Sequence, residues 1–161
     1  MGTETMGRVL TEATIENLKD LWDAERGLLP PEKVRRITVP DALVDTGATL
    51  LSLPTRLIRQ LGLSPHRKRK VISSTGVTEA TVYDVVRLTI QDRDCPVEVM
   101  EVPDDVPVLI GQLPLENLDL VVDLRARRLT GNPAHGGEQV FELYCFSGLT
   151  PDAKEARPWH L

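Results

Sequence analysis

Aromatic residues and cysteines are scarce in this chain, and it has no long apolar run. Phe, Trp and Tyr make up only 4% of its 161 residues, so its core must be built from aliphatic side chains. Two cysteines, Cys95 and Cys145, are too few for a disulfide framework, and we expect reduced thiols in a cytoplasmic protein. No apolar stretch approaches the roughly 20 residues of a membrane-spanning helix. The first residues carry acid where a signal peptide needs base. We therefore expect no membrane partner.

The net charge and the histidine spacing also limit the kinds of partner and ligand that we expect. The net charge of −5 argues against nucleic acid as the partner. His66, His135 and His160 lie far apart in the sequence, so no metal site can be recognised. We expect neither a metal nor a cofactor.

The N-terminal third is predicted to begin with a helix. Ile15, Leu18, Leu21 and Trp22 fall at helical spacing, which predicts an amphipathic helix from Thr14 to Arg26. A strand is predicted after it, at residues 34–38, and Val39-Pro40 is expected to break that strand.

The rest of the chain alternates between short strands and turns, as expected for a mainly β domain. The predicted elements are a helix at 54–61, a hairpin at 71–83, strands at 85–91 and 95–102, a helix at 114–118, a closing hairpin from 119 to 130 and one more strand at 140–146. We predict three segments: an N-terminal helical extension at 1–33, a central domain at 34–131 and a C-terminal extension at 132–161.

One motif carries chemical information. The apolar residues 42–44, which we expect to be buried, lead directly into Asp45-Thr46-Gly47-Ala48. Glycine at the third position permits close backbone approach, and the threonine hydroxyl can brace the neighbouring backbone. Such a turn can hold a carboxyl group in a defined place. By itself, however, Asp-Thr-Gly is also an ordinary turn sequence.

The motif and its companions resemble the retropepsin-like aspartic proteases over residues 42–131. Asp-Thr-Gly-Ala is the active-site signature of that family, and two further features follow in the family's order. One is a hairpin with Gly76 near its tip, which resembles the flap; the other is Leu109-Ile110-Gly111 followed by a short helix. Residues 53–54 (Leu-Pro) and 61–63 (Leu-Gly-Leu) are similar to the bacterial single-domain type.

The resemblance implies a fold, a chemistry and a set of site residues. The fold is a closed β-barrel, the half of an acid protease. Together with the helices predicted from the sequence, it has two or three short helices, including the N-terminal one, on which the resemblance does not bear. The substrate is an extended peptide, bound by strand addition under the flap at residues 73–77. The resemblance implies catalytic roles for Asp45, Thr46 and Gly47, and substrate contacts for Ala48, Ser74, Thr75, Gly76, Val77 and Ile110.

The motif occurs once, which implies a homodimer. Aspartic protease chemistry uses two carboxyls that share one proton. The other Thr-Gly pairs follow Ser74 and Leu129, so neither supplies a second acid. The second Asp45 must then come from another copy across a two-fold axis.

Other interpretations remain open at this point. Asp45 could be a turn or capping aspartate, Gly76 a simple hairpin glycine, and Ile110-Gly111 a buried strand end. The fold could serve as a catalytically silent peptide-binding or dimerisation module. The basic run at residues 66–70 could contact an acidic partner, as in a regulatory or toxin-like module, or be a solvated strand edge.

Overall fold

Nine strands and three helices form residues 8–142, the part of the chain that the computed structural model describes. The strands are β1 (Leu10–Asn17), β2 (Arg36–Val44), β3 (Leu51–Pro54), β4 (Pro65–Ser73), β5 (Gly76–Ile90), β6 (Arg93–Val102), β7 (Leu109–Ile110), β8 (Leu120–Asp123) and β9 (Arg128–Gly131). The helices are α1 (Leu18–Glu25), α2 (Thr55–Gln60) and α3 (Gln112–Leu118), with 3-10 turns at Pro31–Lys33 and Pro133–His135. The predicted mainly β class is confirmed.

Six of the strands close into a ring. The sheet order is β1-β2-β7-β3-β6-β5-β4, and an additional β1–β5 pairing joins its ends. Strand β4 pairs with β5 only and extends outside the ring, while β8 and β9 form a separate hairpin. The closed, barrel-like architecture and the hairpins predicted at 71–83 and 119–130 are therefore confirmed.

Aliphatic side chains fill the ring, as the scarcity of aromatic residues requires. Ile15, Leu51, Leu53, Leu88 and Ile110 are each fully buried. They come from four strands of the ring, β1, β3, β5 and β7, and the core continues with buried residues of β2 and β6, whereas β4 contributes none. Within residues 8–142, no aromatic side chain belongs to the buried set.

The predicted N-terminal helix starts too early. Its first four residues belong to β1, and α1 begins only at Leu18. Ala13, Ile15 and Asn17 alternate inward and β1 pairs with both β2 and β5, so sheet pairing overrides the helical spacing. Asn17 caps α1 by accepting a hydrogen bond from the Asp20 amide, and Trp22 is 52% exposed. The boundary placed at residue 33 stays a prediction, although β1 pairs with strands beyond it.

The predicted strand break at Val39-Pro40 is also wrong. Strand β2 continues through Pro40, because the pairing with β1 contains a bulge there. Residues 40 and 41 of β2 together oppose Glu12 of β1, so the missing proline N–H leaves no ladder bond unmade.

An ion pair joins α1 to the start of β2 beneath the end of α2. The carboxylate of Asp20 accepts hydrogen bonds from Arg35 Nε at 2.8 Å and Nη2 at 3.0 Å, which lowers the pKa of Asp20. Gly62 ends α2 with φ +66°, and a Cβ there would lie 1.8 Å from Arg35 Nη1. The dihedral angle therefore favours glycine in Leu-Gly-Leu, and a larger residue would also displace the Arg35 guanidinium from its place.

The C-terminal strand predicted at 140–146 falls partly outside the described residues. Residues 140–142 are not in a strand, and residues 143–146 lie outside the described range. None of the helices in the described part of the chain is long and apolar enough to cross a bilayer.

Candidate functional site

Asp45 begins the loop that leaves the end of β2. Its backbone N–H donates to the Ile110 carbonyl at 2.9 Å, which continues the β2–β7 pairing by one bond. Its side-chain Oδ1 accepts from the Gly47 N–H at 3.0 Å, and its carbonyl accepts from the Ala48 N–H at 3.1 Å. Both the main chain and the carboxylate of Asp45 are therefore held by local hydrogen bonds.

The back of this loop is held by the start of α3. The N–H groups of Gly111, Gln112 and Leu113 donate to carbonyls of residues 48–50 over 3.0, 2.8 and 3.0 Å. A Cβ at residue 111 would lie 2.3 Å from the Leu50 carbonyl oxygen, so only glycine allows the two backbones to approach this closely. The sequence features at 45–48 and 109–111 form one unit in space.

The front of the loop faces solvent. Asp45 is half-buried, whereas Thr46 and Gly47 are exposed. The expectation that residues 42–44 are buried holds for Ala42, while Leu43 and Val44 are only half-buried. Among the described residues, nothing donates a hydrogen bond to Asp45 Oδ2, and no cation lies within ion-pair distance of the carboxylate. One carboxylate oxygen is fixed and the other is available to water or to a second acid.

Ile110 contributes to the site through its backbone. Its side chain is 0% exposed and belongs to the core, while its carbonyl accepts the Asp45 N–H. In this chain, the residue therefore positions Asp45.

The predicted substrate-contacting residues of the hairpin form its exposed tip. The Ser73 hydroxyl lies 2.9 Å from that of Thr75 and orders the turn, and Gly76 adopts φ +124°. In the described part of the chain, no hydrogen bond joins residues 74–77 to residues 45–48. The structure thus brings together Asp45, Thr46, Gly47, Ala48 and Ile110, and it leaves Ser74, Thr75, Gly76 and Val77 on a separate projection.

A polar cluster beside Thr46 was missed by the sequence analysis. His135 Nδ1 lies 2.6 Å from Asp119 Oδ2, and His135 Nε2 lies 2.8 Å from Glu142 Oε1. The cluster borders a groove of about 570 Å³ that is also lined by Thr46 and α3. Asp119 follows α3 directly and adopts a left-handed conformation, with φ +54°. Its pairing with a histidine 16 residues away is tertiary and leaves no local signal.

The cluster ties down the chain that follows β9. The Asp119 carboxylate also accepts from the Val140 N–H at 3.0 Å, and the Arg93 guanidinium donates to the Gly137 carbonyl. The hydrogen bond from His135 lowers the pKa of Asp119, and the carboxylates of Asp119 and then Glu142 raise the pKa of His135.

The described residues give little support for a cysteine nucleophile or a metal site. Burial raises the pKa of the Cys95 thiol to about 11, so this thiol stays protonated and is a poor nucleophile. No group of three His, Cys, Asp or Glu side chains within residues 8–142 is arranged to hold a metal ion.

Comparison with known proteins bears on the same segment. A protein-family model described as aspartyl protease matches residues 34–113, which include Asp45, the β4–β5 hairpin and the start of α3. A search of curated proteins found no match.

Proposed function

Residues 34–113 belong to the aspartyl protease family of the retropepsin-like clan, and from this premise we propose an aspartic endopeptidase that acts as a homodimer. Each chain supplies one Asp45 to the catalytic pair. The observation that carries the proposal is the hydrogen bonding of Asp45. One oxygen is fixed by Gly47, the backbone is fixed by Ile110, and the other oxygen accepts no hydrogen bond from the described residues.

The proposed reaction is hydrolysis of a peptide bond by activated water. Two carboxyls in close contact cannot both ionise, so the pair of Asp45 residues holds one shared proton. The ionised member removes a proton from water, and the protonated member donates to the scissile carbonyl oxygen. The mechanism requires no metal and no covalent intermediate, and it is favoured at mildly acidic pH.

The homodimer follows from what one chain supplies. Within residues 8–142, no other carboxylate forms a hydrogen bond or shares a turn with Asp45. Thr46 is exposed next to it, and its hydroxyl makes no hydrogen bond to the described residues, so it can bond across a two-fold axis. The partner copy therefore completes the site.

The substrate in this proposal is an extended peptide. The β4–β5 hairpin acts as a flap, with Ser74 to Val77 closing over the peptide and Ala48 lining the floor. Backbone hydrogen bonds supply affinity and side-chain pockets supply preference, as in other complexes formed by strand addition.

A silent peptide-binding or dimerisation module is the second candidate. It is favoured by the incomplete site of the single chain, in which Asp45 has no acidic partner among the described residues. Separation of the two Asp45 carboxyls beyond proton-sharing distance in every dimer would support it.

Asp45→Asn tests the proposal directly. The amide cannot act as the general base, so we expect peptide hydrolysis to fall by at least about a thousandfold, while the fold is unchanged. Cleavage of a broad peptide library at mildly acidic pH, followed by mass spectrometry, measures the change.

Asp41→Asn is the matched control, because Asp41 is an exposed aspartate on β2, the strand that leads into the Asp45 loop, and carries the same charge. We expect this variant to cleave like the wild type. Equal cleavage by the Asp45→Asn variant and the wild type would refute the proposed chemistry.

A further inference from the structure

Strand β4 carries the basic run His66 to Lys70 along an open sheet edge. The strand pairs with β5 on one side only, and all five residues of the run are exposed. Within residues 8–142, no strand pairs with the other side of β4, so its backbone N–H and C=O groups there are able to pair with another extended segment. This edge is therefore both basic and able to accept a strand.

Most of this positive charge is not neutralised by the described residues. Arg67 makes a two-pronged ion pair with Glu98, at 2.6 and 2.7 Å. Lys68, Arg69 and Lys70 make no ion pair within residues 8–142, although Glu79 lies opposite Lys70 in the pairing register. Three adjacent cations without an ion pair to the described residues are notable in a chain of net charge −5.

An exposed apolar pair adjoins the run. Ile72 and Val77 lie directly opposite each other near the hairpin tip, and they are 84% and 68% exposed. Charge alone is enough to protect a strand edge from unwanted pairing, but protection does not call for two large apolar side chains in water. The combination of open backbone, cations and apolar side chains indicates a contact surface.

The observations favour an acidic polypeptide as the occupant of this surface. A second copy of β4 would place cations opposite cations, which is destabilising. Successive side chains point to opposite faces of a strand, so Lys68 and Lys70 lie on one face and Arg69 on the other. Apart from His66, the strand carries no aromatic side chain on which a base could stack. An extended chain added to the edge also alternates its side chains, so its acidic residues meet cations on both faces.

We propose that the free edge of β4 binds an acid-rich, extended stretch of the polypeptide substrate. This inference rests on the proposed peptidase function and names its substrate class. The acidic stretch flanks the bond that is cleaved, because β4 is one arm of the hairpin that closes over the cleft. The aspartate- and glutamate-rich segment is held by backbone pairing and by Lys68, Arg69 and Lys70.

Peptide binding to a variant that cannot cleave the peptide tests the proposal. The Asp45→Asn protein is titrated into fluorescein-labelled peptides of equal length, one rich in Asp and Glu and one neutral, and the anisotropy is followed. We expect the acidic peptide to bind about tenfold more tightly at low salt, an advantage that shrinks as salt screens the charges. Adding Lys68→Gln, Arg69→Gln and Lys70→Gln should remove that advantage.

A matched triple variant controls for net charge. Arg125→Gln, Arg127→Gln and Arg128→Gln remove the same charge from exposed positions in the β8–β9 turn and at the first residue of β9, and this variant should keep the preference. Equal affinity for the two peptides, or an equal loss in both triple variants, overturns the proposal. Equally tight binding of a single-stranded oligonucleotide of the same charge overturns it as well, because the edge would then be a general anion surface.

Cleavage by the wild type separates this inference from the function on which it rests. Higher kcat/KM for acid-flanked peptides than for neutral ones supports both. Cleavage of the two peptides at equal kcat/KM overturns the acid-rich substrate class and leaves the peptidase standing. Tighter binding of the acidic peptide without cleavage of either peptide supports acidic binding at the β4 edge and contradicts the proposed peptidase function.

Discussion

At Asp45, the absence of a side chain on Gly47 leaves room for the carboxylate. The Gly47 N–H holds Oδ1 at 3.0 Å, and a Cβ on Gly47 would lie 3.2 Å from the same oxygen. That contact is tighter than ordinary van der Waals packing, so an alanine would push the carboxylate aside. The φ angle of Gly47 is not in the left-handed region, so an alanine fits its backbone.

Gly47→Ala should therefore impair activity far more than stability. We expect kcat/KM for peptide cleavage to fall about ten- to a hundredfold, since a small displacement of a catalytic group is costly. The melting temperature should change little, because residue 47 is exposed. An unchanged kcat/KM would show that the position of Oδ1 does not limit the reaction.

Individual residues of the site differ in how well the sequence predicts them. Asp45, Gly47 and Gly111 could be identified because a tight turn and a close backbone approach restrict the residue type. The core position of the Ile110 side chain could not, because an apolar residue fits a core and a substrate pocket equally well. His135 could not either, since its partner Asp119 meets it only through the tertiary fold.

Strands and helices are correctly predicted where the local sequence pattern agrees with the strand pairing of the fold. The hairpins of β4 with β5 and of β8 with β9 have glycine or polar turns between alternating segments, and both are correctly predicted. The last four residues of β1 are wrongly predicted as helix because Ile15 falls at helical spacing with Leu18, Leu21 and Trp22, which do belong to α1. This segment is a strand because β1 pairs with both β2 and β5, and no local sequence pattern predicts that pairing.

The segment after β9 depends on the ion pair between Asp119 and His135. The pKa of Asp119 is lowered and that of His135 is raised, mainly by each other. A raised histidine pKa adds stability below its unfolded value, and this stability is lost as the pH rises through the folded value. A lowered aspartate pKa adds stability above its unfolded value, and this stability is lost as the pH falls through the folded value. The Asp119–His135 pair therefore stabilises the fold at pH values between the lowered pKa of Asp119 and the raised pKa of His135.

His135→Gln should lower the melting temperature near pH 6 and much less near pH 9. Thermal unfolding of the two proteins across this range measures the difference, in which Glu142 also takes part through His135 Nε2. His66→Gln is the control, because His66 is exposed and makes no hydrogen bond to the described residues. A difference that stays constant with pH would contradict the ion-pair account.

The whole molecule is a closed ring that presents one carboxyl group at its surface. The ring and α3 hold the Asp45 loop from behind, while its front lacks a second acid from the described residues. The fold class could be read from strand and turn patterns. The proposed homodimer rests on the single copy of the motif, and the sequence does not predict its geometry, because an interface depends on surfaces that no local pattern specifies.

Mixing wild-type and Asp45→Asn chains tests the central proposal most directly. The two proteins are refolded together at constant total concentration, and the rate of peptide cleavage is measured against the wild-type fraction. With a shared pair of carboxyls, only dimers of two wild-type chains are active, so equal mixing leaves about one quarter of the activity. Mixing with Asp41→Asn should leave full activity. If each chain acts alone, about one half of the activity remains in the Asp45→Asn mixture, and that result would contradict the shared active site.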